Sequence, residues 1–338
     1  MRIYLTSSEN RNKFGISKVI SQLQKRFKKS EQIRYSKNLI EFFIFRPKIL
    51  HIHGCWKIRL ILFFLLAKIM GVKIVISPHG MMDQNSLNQK KTKKKLALFF
   101  YQKLIFKKAD LIIVNSIMEK KNFLIQVPKL KKIKIIPHGV NIDKKFFPKK
   151  NLKKDLKFVF FSKIHKSKNL LLLLRLWEKS NFLKKFNLDI IGETDDESYF
   201  VKINKVIRAS SNIKYLGSLN KKIQYKLSKY DVFIHPSKSE NFGLVIYEAL
   251  SSGLFLILNK ELKKKELTEN KFAVSINFDL ETIIKTIKQI LNNKKYIKSL
   301  NYKKKCFHYV KKNYNWDFIS KDYLKNYLRI LNRSKIKI

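Results

Sequence analysis

Two cysteines in 338 residues, Cys55 and Cys306, are too few for a disulfide framework, and no Cys/His spacing resembles a zinc site. A reducing compartment is the default expectation. Long apolar runs are missing too. The richest stretch, Ile58 to Met70, carries Arg59 and Lys68 and falls short of the roughly 20 residues that span a bilayer. The N-terminal MRIYLTSSEN has no long apolar core behind its charge, so neither a signal peptide nor a transmembrane anchor is expected, and a cytoplasmic setting is. Acids are the third shortage: 24 Asp and Glu stand against 74 Lys and Arg, a formal net charge of +50.

A field of that size attracts polyanions at low salt. Lysine is spread over nearly every expected surface, beside many isoleucines and asparagines, as AT-rich coding would produce. That bias leaves the shortage of acids unexplained, because their codons are also fairly AT-rich. Coding bias is read as the main cause, with adhesion to an anionic membrane expected to contribute. No helix-turn-helix, zinc finger or aromatic RNA-binding signature is present, which argues against dedicated nucleic-acid recognition.

What the chain does have is 45% hydrophobic residues in alternating strand-like and helix-like segments. In the first part, strands are expected at Arg2–Thr6, Lys48–His53, Val72–Ser77, Leu111–Asn115 and Ile133–Ile136, with helices between them. The lysine-rich Gln89–Lys95 reads as a loop before a helix from Leu96 to Lys107. A second alternating unit has strands at Lys157–Phe161, Leu188–Ile191, Ile213–Tyr215, Val232–His235 and Leu254–Leu258. Strands separated by helices imply right-handed crossovers and parallel sheets. The expectation is α/β: an N-terminal doubly wound domain over 1–145, a charged linker over 146–156, a second such domain over 157–310 and a helical tail over 311–338, for which a return to the N-terminal domain is one arrangement. A cleft between the two domains would follow.

The most informative segment is HPSKSENFGLVIYEALSSG, in which Glu240 and Glu248 have seven residues between them. A buried strand ends at Pro236, and Leu244 to Leu250 reads as a helix whose first turn holds Asn241, Phe242 and Gly243. Open α/β sheets bind ligands at such carboxyl strand ends. Free backbone N–H groups at a helix start attract anions, and Gly243 permits close approach. Two carboxylates beside an anion site suit a ligand with phosphate at one end and hydroxyls at the other. A nucleotide sugar has that form.

A second segment, FVFFSKIHKSKNLLLLL, ends a strand at Phe161 and places Lys163, His165 and Lys168 before a helix. Two ammonium groups there would neutralise a diphosphate and stabilise it as a leaving group. Together, SKIHKSKNL and SENFGLVIYEAL resemble the motifs of glycosyltransferase family 4, the retaining, metal-independent sugar transferases of the GT-B fold. HIHG, SPHGMMD, ADLIIVNSIMEK and IKIIPHGVN are similar to the N-terminal half of bacterial members that build surface polysaccharides, and NIKYLGSL resembles the loop bordering the nucleotide base.

The resemblance implies roles. Lys163 and Lys168 would hold the donor diphosphate, Glu248 the ribose hydroxyls and Glu240 the sugar hydroxyls near the reacting carbon. Backbone N–H groups from Asn241 through Phe242 and Gly243 to Leu244 would face sugar and phosphate, and Gly217 the base. His79 would reach toward the donor sugar, and Gly15 would approach donor phosphate and acceptor. No cofactor or metal is implied. Three departures bear on donor geometry: Lys163 replaces the usual arginine and its bidentate fork, Ser162 stands where glycine is common, and the first loop has one glycine where two are frequent.

The implied acceptor is a glycan or lipid-linked intermediate of polysaccharide or lipopolysaccharide synthesis. QKKTKKK beside Phe99, Phe100 and Tyr101 suggests peripheral contact with anionic lipid. A non-catalytic polyanion-binding protein, or another GT-B enzyme such as a sugar-nucleotide epimerase or phosphorylase, are the competing readings. His51 and His53 are expected to be structural or acceptor-facing rather than catalytic, His138 to shape a turn near the domain junction, Trp316 to be a packing anchor, and Asp195 to Glu197 to form a solvated loop.

Overall fold

A computed structural model describes residues 1–9, 15–27, 32–88, 91–143, 148, 155–194, 196–219 and 222–332. The chain forms two compact units, Met1–Gly139 with Trp316–Ile338, and Val140–Asn315. The crossings therefore fall at 139/140 and 315/316, outside the expected boundaries of 145 and 310. Most of the expected linker, and Asp195 of the acidic run, lie outside the described residues.

In the first unit, β1 (Arg2–Ser7), β2 (Gln32–Tyr35), β3 (Ile49–His53), β4 (Lys73–Ser77), β5 (Leu111–Val114) and β6 (Ile133–Ile135) form one parallel sheet in the order β2-β1-β3-β4-β5-β6. Alternate residues feed two cores. Tyr4, Leu50, Ile74 and Ile112 face one side, and Ile3, Ile49, Val75 and Ile113 the other. Right-handed crossovers decide which helix covers which side. β1 to β2 runs one way across the sheet, so helix Ile16–Phe27 covers one face. Every later connection runs the other way, so helices Leu39–Phe45, Ile58–Ile69, Lys91–Lys108 and Ile117–Gln126 share the opposite face. The last helix of the chain, Trp316–Asn332, joins Ile16–Phe27. Trp316 is buried against Gly139, where any Cβ would run into the indole.

The expected loop at Gln89–Lys95 needs correcting. Gln89 and Lys90 lie outside the described residues, while Lys91–Ala97 is already helical and continues through a π turn, Leu98–Gln102, into Lys103–Lys108. Lysine is a good helix former, so a run of lysines does not mark a loop.

In the second unit, β7 (Phe158–Phe161), β8 (Leu188–Ile191), β9 (Ile213–Tyr215), β10 (Val232–His235), β11 (Phe255–Asn259) and β12 (Ala273–Ile276) lie in the order β12-β11-β10-β7-β8-β9, all parallel. Strand order reverses between β7 and β10. Their two carboxyl ends flank the topological switch point, where ligands bind in such sheets. Phe160, Ile190, Phe233 and Ile257 fill one continuous core with Trp177 and Ile287. Asp231, fully buried just before β10, faces the ammonium groups of Lys298 (3.7 Å) and Lys303 (3.6 Å).

Candidate active site

The loop after β7 and the loop after β10 meet at the switch point. His165 caps a short 3-10 turn, Lys166–Lys168, by accepting the Ser167 N–H at 3.2 Å. Asn169, in the left-handed conformation, ends that turn and starts helix Leu170–Lys179. Lys168 is thereby aimed at the neighbouring loop, where its Nζ donates to Glu240 Oε1 at 2.6 Å. His235, the last residue of β10, meets the same oxygen through Nε2 at 2.8 Å. Ser237 Oγ donates to Ser167 O at 3.2 Å, tying the two loops together a second time.

The residues after Glu240 are fixed as well. Gly243 adopts φ 76°, which L side chains rarely tolerate, and its carbonyl accepts Ile246 N–H at 2.9 Å to open helix Leu244–Ser251. Buried Lys264 donates to Phe242 O at 2.8 Å, and its ammonium lies over the Phe242 ring. Burial lowers the Lys264 pKa, with partial compensation from Glu266 and Glu240. Glu248 is buried one turn into the helix, and its carbonyl accepts the hydroxyls of Ser251 and Ser252 at 2.9 and 2.8 Å.

Burial alone would raise the Glu240 pKa, but the His235 hydrogen bond and the Lys168 ammonium outweigh it and hold the carboxyl down to about 2. At neutral pH it is therefore a fixed acceptor of hydrogen bonds and a poor acceptor of protons. Such a group can grip hydroxyls. It is unsuited to general-base work.

The other expected residues are distributed as follows. Lys163 is half-buried at the start of the loop after β7. Gly217 follows β9 with φ 71°, and its carbonyl accepts Gly192 N–H at 2.9 Å. Gly192 itself has no room for a Cβ, which would strike the Ser162 carbonyl. Asn241 is partly buried, Phe242 is packed on Tyr247 at 4.7 Å between ring centroids, and Leu244 begins the helix. Gly15 (φ 106°) and His79 belong to the first unit.

His79 sits in a row of imidazoles at the carboxyl edge of the first sheet. His53 Nδ1 and His79 Nε2 are 2.9 Å apart, and His79 stacks on His138 at 5.4 Å. His51, fully buried, bridges Tyr327 OH (2.6 Å) and Ser77 Oγ (2.8 Å) and is structural. His138, expected only to shape a turn, instead contributes its ring to the row and meets Asn115 at 3.1 Å. Burial lowers all four pKa values, that of His138 to about 4, so the row is neutral at pH 7. Buried Glu119 accepts the Asn115 N–H at 2.6 Å and the Gly80 N–H, fixing the left-handed His79–Gly80 turn. Burial raises its pKa to about 7.

Family models match nearly end to end: "Glycosyltransferase Family 4" over residues 9–144 and "Glycosyl transferases group 1" over residues 141–307. The chain is a GT4-type glycosyltransferase. A curated relative of this glycosyltransferase, an uncharacterized 41.2 kDa protein in a cps region of Klebsiella pneumoniae, is 26% identical over 244 residues, which is 68% of this chain. The match spans just under two thirds of that relative, 65%. Among solved structures, sucrose-phosphate synthase of Thermosynechococcus elongatus superposes with TM-score 0.78 at 16% identity, covering 98% of this chain and 99% of that one. HepE of Anabaena, in complex with UDP and glucose, gives 0.72 at 14%, covering 96% and 98%. These likenesses are of fold, and the fold is GT-B, with two parallel six-stranded sheets flanked by helices.

His235, Ser237, Lys264 and Glu119 escaped the sequence reading. His235 carried a usable signal, as the last strand residue five positions before Glu240. Lys264 carried none, being one lysine among very many.

Proposed function

We propose that this glycosyltransferase moves a sugar from a nucleotide diphosphate donor to a hydroxyl of a glycan or lipid-linked acceptor, with retention at the anomeric carbon and without a metal. The observation that carries the reading is the Lys168–Glu240 pair at the switch point of the second unit, 2.6 Å long and directly before a helix start. Lys168 and Lys163 are assigned to the diphosphate, Glu240 to sugar hydroxyls, Glu248 to the ribose, and the N–H groups from Asn241 to Leu244 to sugar and phosphate. Gly217 borders the base. For Gly15 and His79 the same reading assigns contact with the donor.

Catalysis on this reading is electrostatic. Ammonium groups and the helix start stabilise the departing diphosphate in place of a metal. Glu240, held ionised, fixes the sugar. The departing phosphate oxygen takes the acceptor proton on the same face, so no protein general base is assigned. UDP and glucose in HepE support a nucleotide-sugar donor, and the cps-region relative supports a role in surface polysaccharide synthesis.

The test is transfer from a panel of nucleotide sugars, followed by product anomer analysis. Lys168→Ala and Glu240→Ala should each lower turnover by about 100-fold or more while leaving the fold intact. Full turnover in both variants, or an inverted product, would end this mechanism.

A further inference from the structure

Among the described residues, twenty large hydrophobic side chains are exposed, and fourteen of them lie on the four helices that share one face of the first sheet. Chance scatter would not concentrate them so. Helix Ile58–Ile69 explains part of this. Leu60, Phe63, Phe64 and Ala67 face the core, while Ile58, Leu62, Leu65 and Ile69 repeat at helical spacing on the outside. The outer stripe is strongly exposed, 74% at Ile58 and 84% at Ile69. A helix that buries one stripe normally turns polar groups to water on the other. This one is apolar on both sides.

Helix Lys91–Lys108 repeats the arrangement with charge added. Leu98, Gln102, Ile105 and Phe106 are buried, while Leu96, Phe99, Phe100 and Leu104 are exposed, Phe99 by 80% and Phe100 by 71%. Exposed Lys93, Lys95, Lys103 and Lys107 stand among them, and this helix has no acid. In the whole four-helix layer the acids are Glu41, paired with Arg34, and the buried Glu119.

We propose that the outward faces of these helices form a docking surface for an anionic lipid bilayer. The choice of occupant follows from charge. A second copy would bring another +50 against a lysine-bearing face, and lysine is depleted in protein interfaces. Aromatic and aliphatic tips with flanking lysines match an anionic headgroup layer over hydrocarbon. No helix among the described residues is long and apolar enough to cross a membrane, so the contact is in-plane. The inference deepens the proposed lipid-side acceptor but relies on that reading only for its purpose, since the surface would adsorb with or without a donor.

The test is co-sedimentation of the full chain with vesicles of phosphatidylcholine, alone or mixed with phosphatidylglycerol, at low and raised ionic strength. Partitioning should favour the mixed vesicles by about tenfold or more, and F99S/F100S and L62S/I69S should each lower it by about tenfold. V201S, an exposed apolar position in the second unit, should leave it unchanged. Circular dichroism verifies that the variants fold. Failure of the unaltered chain to pellet with mixed vesicles overturns the proposal. So does undiminished binding by both double variants, which would mean adhesion through charge alone. A dimer seen by sedimentation velocity without lipid, and dissolved by the same substitutions, would assign the face to a second copy instead. Binding of UDP, GDP and ADP, measured on the same preparations, reports on the transfer reading alone, so either proposal can fail without the other.

Discussion

Lys168 and Glu240 are proposed to serve different parts of one donor, yet they are bonded to each other at 2.6 Å. This makes their substitutions act in opposite directions on diphosphate affinity. Lys168→Ala removes a charge-assisted contact to the diphosphate, about 1.5–3 kcal/mol, or roughly 10- to 150-fold in Kd. Glu240→Gln keeps the shape, removes a negative charge beside the diphosphate and releases the ammonium from its partner. Solvent screening limits that gain to on the order of 1 kcal/mol, so affinity should tighten about fivefold. Transfer should nonetheless fall by about 100-fold, because a carboxamide binds sugar hydroxyls more weakly than a carboxylate. Isothermal titration with the nucleoside diphosphate that most raises the melting temperature gives both affinities, and donor consumption gives the rates. Weaker diphosphate binding in Glu240→Gln, or Lys168→Ala within twofold of the unaltered protein, would refute the assignment.

Acid stability should report the same cluster: the Glu240 pKa is depressed to about 2 from an ordinary 4.5, so its contribution, on the order of 3 kcal/mol, is present above about pH 4.5 and lost as pH falls toward 2. Urea midpoints should therefore fall less steeply over that window in Glu240→Gln than in the unaltered protein. Asp231→Ala, which leaves the buried Lys298 and Lys303 without their shared carboxylate, should cost about 3–5 kcal/mol by denaturant unfolding. Gly139→Ala forces a Cβ into Trp316 and should cost about 1–3 kcal/mol, read as a lower melting temperature. Glu119 has its pKa raised to about 7, so its ionisation penalises the folded state as pH rises from 4.5 through 7. Glu119→Gln should flatten that dependence, at a fixed cost from the two N–H groups it can no longer both satisfy.

Most of the strands expected from the sequence are buried on both faces, although the short, partly exposed edge strands β6 and β9 were expected too. FVFF, LIIV and VFIH are continuous buried runs ended by polar or turn residues, as central parallel strands should be. The two that escaped notice are at the sheet edges. QIRY of β2 alternates exposed and half-buried residues, and AVSI of β12 exposes Ser275, so neither makes a long apolar run. The lysine run at 91–95 misled for a different reason. Hydropathy marks it as solvated, which it is, but solvation does not distinguish a loop from an exposed helix face.

The candidate site shows the same division between what is local in sequence and what only the fold brings together. Glu240, Gly243 and Glu248 were legible because loop, glycine and helix follow one another within nine residues. Lys168 was legible as a residue before a helix, but its partner was not, since 72 positions separate it from Glu240. The strand order supplies that link: β7 and β10 are neighbours only because the sheet reverses there. His235 follows from the same fact. A histidine ending a strand at the switch point, with a carboxylate in the adjoining loop, lies within hydrogen-bond range of that carboxylate and biases it toward ionisation. Replacing His235 with Phe keeps the bulk of the ring and removes the bond, so it should raise the Glu240 pKa and shift the acid limb of donor consumption upward in pH. An unchanged acid limb would mean that Lys168 alone sets the charge of Glu240.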